Sequence, residues 1–290
     1  MRIVRTKDEL REALAPARHE GQEIGLVPTM GALHEGHLSL LRAARARCDV
    51  VVMSLFVNPT QFRPGEDLAA YPRDETRDAE LAEAEGVDLI YAPAVEEVYP
   101  EGFATAVEVG GGLTDVLDGD PARRGPEHFR GVTTVVAKLL NTVQPQVGFF
   151  GQKDGQQAIA IRRMVRDLDF PLDVVVLPTV REPDGLALSS RNAYLDPSER
   201  ERAAALSRAL RAAEAVAASG ERSTAAALEA AREELAAAGI EPEYLEARDA
   251  DRLERVESFN GRPVLVAVAA QVGKARLIDN VIIGADDQSA

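Results

Sequence analysis

Short apolar runs alternate with amphipathic segments along the first two thirds of the chain. Apolar runs bounded by Gly or Pro are typical of buried strands, whereas apolar residues three and four positions apart are typical of helices. Regular alternation of the two indicates βα units that form a parallel sheet. The predicted strands are GLVPTM, VVVMSLFV, VDLIYAP, VGFFGQKD and DVVVLPTV, and the predicted helices are HLSLLRAARARC, RDAELAEAEG, GVTTVVAKLLNTV and GQQAIAIRRMVRDL.

The pattern changes near Asp184, where the chain becomes rich in Ala, Glu and Arg. Helices are predicted over about residues 197–218 and 223–238, followed by the strand-like segments EYLEARD, PVLVAVAAQVG and RLIDNVII. We therefore predict an α/β fold, with a doubly wound parallel sheet in residues 1–184 and a smaller C-terminal α+β domain in residues 185–290. Such open sheets bind ligands at the carboxyl ends of their strands.

Charge and composition exclude several classes of function. The net charge is −15, without a basic cluster, which disfavours nucleic acid and anionic membranes as partners. The N-terminal RTKDELRE does not resemble a signal peptide, and no apolar run approaches the ~20 residues that span a bilayer, so we expect a cytoplasmic protein. The single cysteine, Cys48, precludes an internal disulfide and is expected in the core.

The segment PTMGALHEGHLSLL is the first candidate for chemistry. A strand ends at Pro28, a glycine turn follows, and a helix is predicted to begin at about His37. The N-terminus of a helix attracts phosphate through unpaired N–H groups and a partial positive charge. His34 and His37 flank Gly36 and could donate hydrogen bonds to phosphate oxygens. A metal site and simple capping are the alternatives, but a zinc helix places its histidines four residues apart with a third ligand.

The segment FGQKDGQQ, at another predicted strand end, is the second candidate. Lys153 is one of only four lysines in a chain that otherwise uses arginine, which suggests a need for a compact ammonium group. Asp154 could hold a ribose hydroxyl or cap the following helix, while Gln156 and Gln157 add neutral donors and acceptors. An ordinary surface lysine is the alternative.

Two further loops carry polar side chains. In DGLALSSRNAYL, the side chains of Ser189, Ser190 and Arg191 can all donate to a polyphosphate. In FVNPTQF, Asn58 and Gln61 could recognise hydroxyls or a carboxylate without forming a salt bridge. The SSRN loop alone is weak support, but beside the two other phosphate-type segments it suggests a lid that closes over a triphosphate. For FVNPTQF, a proline-containing turn with an Asn cap is the alternative. Together, the four segments indicate a triphosphate site beside a neutral acceptor site.

These segments, with YPRD and GPEHFRGVTTVV, resemble the pantothenate synthetase family, ATP-dependent ligases of pantoate and β-alanine in the HIGH-motif nucleotidyltransferase superfamily. The resemblance covers nearly the whole chain, with all six blocks in order. It implies a Rossmann-like domain, a pantoyl-adenylate intermediate, Mg²⁺ with ATP, and a homodimer. The alternative is a nucleotidylyltransferase that transfers AMP to a phosphorylated acceptor, but that activity needs a basic acceptor pocket.

The resemblance also implies roles for individual residues. Its expected catalytic groups are His34, His37, Lys153, Ser189, Ser190 and Arg191. ATP contacts are implied for Met30, Gly31, His34, Gly36, His37, Gly151, Gln152, Lys153, Asp154, Val180, Leu188, Ser189, Ser190 and Arg191. Pantoate contacts are implied for Gln61 and Gln157, with Gln61 also near β-alanine, and Asn58 is a further substrate-binding candidate by its residue type. Leu188 replaces the family's usual Met, and Asp78 is the best match to an acidic cluster near the magnesium ion.

Overall fold

The computed structural model describes residues 1–63, 68 and 71–284. The chain forms two compact units. The first contains residues 1–110, 118–151 and 160–177, and the second contains residues 111–117, 152–159 and the chain from residue 178 onward. The predicted domain division between residues 184 and 185 stays a prediction.

A six-stranded parallel sheet forms the centre of the first unit. Its strands are β1 (Arg2–Val4), β2 (Ile24–Thr29), β3 (Val50–Leu55), β4 (Leu89–Tyr91), β5 (Val147–Gly151) and β6 (Asp173–Leu177). They lie in the order β1-β4-β3-β2-β5-β6. The order reverses direction between β2 and β5, which makes the carboxyl ends of these two strands the topological switch point. The predicted doubly wound sheet is confirmed.

The helices between these strands are α1 (Lys7–His19), α2 (Glu35–Arg47), α3 (Glu75–Ala84), α4 (Val95–Val98), α5 (Pro126–Val143) and α6 (Gly155–Asp167). Leu26, Val27 and Met53 are fully buried in the central strands, as expected of a sheet covered on both faces. None of the described helices is long and apolar enough to cross a bilayer.

The second unit contains α7 (Pro197–Ala203), α8 (Ala205–Ala218) and α9 (Thr224–Ala237), followed by β7 (Pro242–Asp249), β8 (Val264–Val272) and β9 (Ala275–Ile283). The strands form an antiparallel sheet in the order β7-β8-β9. Fully buried alanines on α8 and α9 pack with alternate valines of β8 in one apolar core. The small α+β architecture is confirmed, although the predicted helix 197–218 is interrupted at Ala204.

Candidate functional site

A buried carboxylate fixes the turn that follows β2. Asp78 of α3 is 2% exposed, and its oxygens accept hydrogen bonds from the N–H groups of Ala32 (2.9 Å) and Leu33 (2.8 Å). Gly31 has a φ of +87°, and a Cβ there would lie 2.9 Å from Asp78 Oδ2. Glycine is therefore required both by the backbone conformation and by the approach of the carboxylate.

The two histidines of this segment cap the helix that they introduce. Helix α2 begins at Glu35, earlier than the predicted His37, and His34 is its N-cap. His34 Nδ1 accepts from the N–H of Gly36 at 3.2 Å, while His37 Nδ1 accepts from the N–H of His34 at 3.3 Å. The ring centroids are 4.2 Å apart. Since each Nδ1 is an acceptor, the neutral rings carry their protons on Nε2, where each can donate.

An amide network joins the segment after β3 to the end of β2. Asn58 Oδ1 accepts from the hydroxyls of Tyr99 (2.7 Å) and Thr60 (2.9 Å). Asn58 Nδ2 donates to Gln61 Oε1 at 3.0 Å, and Gln61 Nε2 lies 3.2 Å from Met30 Sδ. The sequence analysis assigned Met30 to the nucleotide site and Asn58 and Gln61 to the pantoate site. In the structure these three residues are neighbours.

Two residues that support this network were not identified from the sequence. His128 is buried, and its Nδ1 lies 2.8 Å from the backbone carbonyl oxygen of Gln61. A Cβ at Gly131 would lie 2.4 Å from the carbonyl oxygen of Thr60, so α5 can approach the 3-10 helix Pro59–Gln61 only because residue 131 is glycine. The GPEHFRG segment contains both residues, but in the sequence it served only as part of the family resemblance and neither residue was given a role.

The predicted phosphate-binding lysine lies in the second unit, directly after β5. A short 3-10 helix, Gln152–Asp154, follows Gly151, and α6 begins at Gly155. The Lys153 side chain is 21% exposed, with Nζ 3.4 Å from Asp154 Oδ1. This separation is long for an ion pair, so Asp154 holds the ammonium group only weakly.

The two glutamines at the start of α6 differ in their surroundings. Gln156 is 8% exposed, and its Nε2 donates to the carbonyls of Leu113 (2.9 Å) and Val116 (2.7 Å). Its side chain therefore anchors the 111–117 segment within the second unit. Gln157 is partly exposed, which leaves it as the candidate for a substrate contact.

The loop containing the serines and arginine is held by backbone and side-chain bonds of the second unit. The N–H of Leu188 donates to the carbonyl of Val180 at 3.0 Å, which brings these two predicted nucleotide contacts together. Ser189 Oγ accepts from the N–H of Arg191 at 3.3 Å and caps the 3-10 helix Ser190–Tyr194. The Ser189, Ser190 and Arg191 side chains are all partly buried.

No group of three or more potential His, Cys, Asp or Glu metal ligands occurs in the part of the chain that the structure describes. Both oxygens of Asp78 accept backbone hydrogen bonds, which accounts for the burial of this carboxylate without a metal. Its assignment as a magnesium ligand stays a prediction.

A doubly wound sheet with a helix N-terminus at its switch point is typical of α/β proteins that bind nucleotides, and here that N-terminus is capped by the two histidines. The family model for pantoate-β-alanine ligase matches residues 2–282. The chain is 56% identical to pantothenate synthetase of Moorella thermoacetica, covering 99% of this chain and 100% of that one. It is 52% identical to pantothenate synthetase 1 of Bradyrhizobium diazoefficiens, covering 98% of both chains.

Solved structures agree with these relationships. Pantothenate synthetase of Thermus thermophilus superposes with a TM-score of 0.89 at 50% identity, covering 97% of this chain and 99% of that chain. The Francisella tularensis pantoate-β-alanine ligase, solved with β-γ ATP and β-alanine, superposes with a TM-score of 0.79 at 33% identity, covering 97% of each chain. The chain belongs to the pantoate-β-alanine ligase family, as the sequence resemblance indicated.

Proposed function

We propose that this chain catalyses the ATP-dependent condensation of pantoate with β-alanine, producing pantothenate, AMP and pyrophosphate. The observation that carries the proposal is the family match over residues 2–282. The proposal is supported by the two histidines that cap α2 at the switch point of the sheet. The family match favours a ligase over the nucleotidylyltransferase alternative, which would use the same histidine segment.

The proposed reaction has two steps. A carboxylate oxygen of pantoate attacks the α-phosphorus of ATP, and the bond from that phosphorus to the pyrophosphate oxygen breaks. The β-alanine amine then attacks the carbonyl carbon of the pantoyl adenylate, loses a proton, and displaces AMP. Because the carboxylate of pantoate and the free amine of β-alanine are themselves nucleophiles, neither step needs a serine or cysteine nucleophile.

Negative charge grows on phosphoryl oxygens in the first step, so donors at those oxygens lower the barrier. We assign this role to the Nε2–H groups of His34 and His37 and to the ammonium group of Lys153. The side chains of Ser189, Ser190 and Arg191 are assigned the same role. The nucleotide site is further proposed to include Met30, Gly31, Gly36, Gly151, Gln152, Asp154, Val180, Leu188, Ser189, Ser190 and Arg191. Mg²⁺ enters as the metal complex of the substrate ATP.

Pantoate recognition is assigned to neutral amides. In the network described above, Gln61 directs its oxygen toward Asn58 and its Nε2 toward Met30, so Nε2 is the end that donates. An N–H donor suits the carboxylate and hydroxyl oxygens of pantoate. Gln157 is proposed as a second contact, while Asn58 contributes by orienting Gln61.

The test is pyrophosphate release by purified protein with Mg-ATP, with and without pantoate and β-alanine. We expect release to require pantoate, and AMP and pantothenate to accumulate when β-alanine is added. His37→Ala and Lys153→Ala should fold normally and lose about 10²–10³ in turnover, as for other donors to transition-state oxyanions. Pantoate-independent release, or unchanged turnover in both variants, would refute the assignment.

Cytoplasmic location and a homodimeric state are further proposals, which rest on the family resemblance and the acidic composition. Light scattering on a size-exclusion column would test the second proposal directly. A mass equal to that of one chain would exclude the dimer.

A further inference from the structure

A side chain of β9 holds the turn that carries Lys153. Asn280 is 6% exposed, and its amide makes three hydrogen bonds to the 3-10 helix Gln152–Asp154. Nδ2 donates to the carbonyls of Gln152 (2.9 Å) and Lys153 (3.0 Å), and Oδ1 accepts from Gln152 Nε2 (2.6 Å). An amide offers two N–H groups and two lone pairs, so most of its bonding capacity serves this one turn.

The residue after the turn leaves room for this contact. A Cβ at Gly155 would lie 3.0 Å from Asn280 Oδ1, closer than side chains normally approach. Any larger residue would displace the amide or the start of α6. The glycine in KDGQ therefore has a packing role that is independent of the hydrogen bonds.

The hydrogen bonds also set the direction of the neighbouring groups. In a trans peptide the N–H points opposite to the C=O, and the described part of the chain contains no cis peptide bond. With the carbonyls of Gln152 and Lys153 directed at Asn280, the N–H groups of Lys153 and Asp154 point away from it. The two held peptides flank the Lys153 Cα, so they define the direction in which its side chain leaves the backbone.

Strand β9 is itself anchored next to Asn280. Asp279 is 3% exposed and accepts two hydrogen bonds from the Arg181 guanidinium, at 2.6 and 3.0 Å. Asp279 Oδ1 also accepts from the N–H of Asn280 at 2.8 Å. Successive side chains of a strand point to opposite faces, so this ion pair holds the strand on one face while Asn280 holds the turn on the other.

We propose that Asn280 is a positioning residue for adenylate formation, acting through Lys153 by fixing the Gln152–Asp154 turn. The inference rests on the proposed function, in which Lys153 stabilises charge on phosphoryl oxygens. It predicts a loss in turnover with little change in pantoate binding, because Asn280 contacts the backbone of the turn that carries Lys153 and not the residues assigned to pantoate.

The test is a double-mutant cycle of Asn280→Asp and Lys153→Ala, measured as pantoate-dependent pyrophosphate release. Asn280→Asp keeps the shape but directs an oxygen, instead of N–H donors, at two carbonyls. We expect turnover to fall about 10- to 100-fold, the scale of a misplaced catalytic group, with KM for pantoate within about two-fold of wild type. The double variant should match Lys153→Ala alone, because residues that act through one another are not additive.

Two further variants separate positioning from folding. Gly155→Ala leaves the sequence of β9 unchanged and crowds the Asn280 amide against the start of α6. It should reproduce the turnover loss, which keeps the test valid if Asn280→Asp fails to fold. Leu277→Ala removes a buried side chain from the same strand, within the apolar core. It should lower the melting temperature and leave turnover unchanged.

The possible outcomes distinguish this inference from the proposed function. A wild-type protein without pantoate-dependent release would refute the function. Normal turnover in both Asn280→Asp and Gly155→Ala would refute only the inference, provided that Lys153→Ala is impaired. Losses that multiply in the double variant would also overturn it, since Asn280 would then act independently of Lys153.

Discussion

The oxygen and nitrogen of the Asn58 amide cannot exchange places without losing hydrogen bonds. Tyr99 and Thr60 donate to Oδ1, and Nδ2 donates to the carbonyl of Gly131 as well as to Gln61. Asn58 is only 1% exposed, so water cannot replace a hydrogen-bond partner that its amide loses. The carbonyl of Gly131 can only accept, so it fixes the direction of the Asn58 amide and, through it, the direction of Gln61, the proposed pantoate contact.

Gln61→Glu tests this polarity at a single residue. One carboxylate oxygen can still accept from Asn58, but the other replaces the donating Nε2 and repels the carboxylate of pantoate. We expect the KM for pantoate to rise about 10- to 100-fold, the range for loss of a hydrogen bond to a charged group, with little change in the KM for ATP. Gln271→Glu makes the same charge change at an exposed site. Equal effects in both variants would contradict the assignment.

Cys48 gives a prediction about alkaline pH. Burial, with a smaller effect from Glu23, raises the pKa of its thiol from 9.0 to about 11. As the pH rises past 9.0 the unfolded thiol ionises while the folded one stays protonated. The free energy of unfolding therefore falls through the interval up to about 11, by at most about 1.4 kcal/mol per pH unit.

The measurement is urea unfolding of wild type and Cys48→Ala across this pH interval. The variant should have lower stability at neutral pH, because it leaves a small cavity in the core, but a shallower alkaline decline. Alkylation of the wild-type thiol should also require unfolding, since the side chain is 3% exposed. Parallel alkaline declines in the two proteins would contradict the pKa shift.

Helix α2 shows how one residue can serve both an element and a reaction. His34 caps the helix through Nδ1, while the proposed chemistry uses its Nε2–H. Asparagine is among the best N-cap residues but has no group at the Nε2 position. His34→Asn should therefore retain the melting temperature and lose adenylate formation, whereas His34→Ala should lose both, at a stability cost of ~1 kcal/mol.

The comparison is made by thermal unfolding and pyrophosphate release on the same three proteins. His19→Asn, at the C-terminal end of α1, is a control for histidine replacement outside the site. Full activity in His34→Asn would show that the imidazole acts only as a cap.

Elements with a strong apolar period were predictable from the sequence, whereas two elements near the N-terminus were not. All five predicted strands of the parallel sheet are present, because a strand covered on both faces must be almost wholly apolar. Strand β1 has three residues, and α1 has a narrow apolar stripe in a charged sequence, so neither was predicted. The Thr6 capping box was a signal for α1 that sequence reasoning overlooked.

The candidate site was predictable where glycine, histidine or lysine interrupts an apolar pattern. Its supporting contacts were not, because they join residues far apart in the chain. Asp78 lies on α3 and accepts hydrogen bonds from the turn after β2, and Asn280 lies more than a hundred residues along the chain from the Lys153 turn that it contacts. No local pattern marks such a partner, since a buried Asn or Asp in the sequence looks like any surface polar residue.

At the scale of the whole molecule, the phosphorus atom that is attacked distinguishes two ways of activating a carboxylate. Attack at the α-phosphorus releases pyrophosphate and leaves a pantoate oxygen in AMP. Attack at the γ-phosphorus would release ADP and leave that oxygen in inorganic phosphate. The family resemblance implies the first, because its proposed intermediate is a pantoyl adenylate.

We therefore expect pantoate carrying heavy oxygen in its carboxylate to transfer one labelled atom to AMP during turnover, as measured by mass spectrometry of the nucleotide. Inorganic phosphate from added pyrophosphatase should remain unlabelled. Label in phosphate, with ADP as the product, would require an acyl phosphate and would refute the adenylate while leaving family membership intact. Because the label follows a single oxygen atom through the reaction, the result does not depend on which residue lowers the barrier.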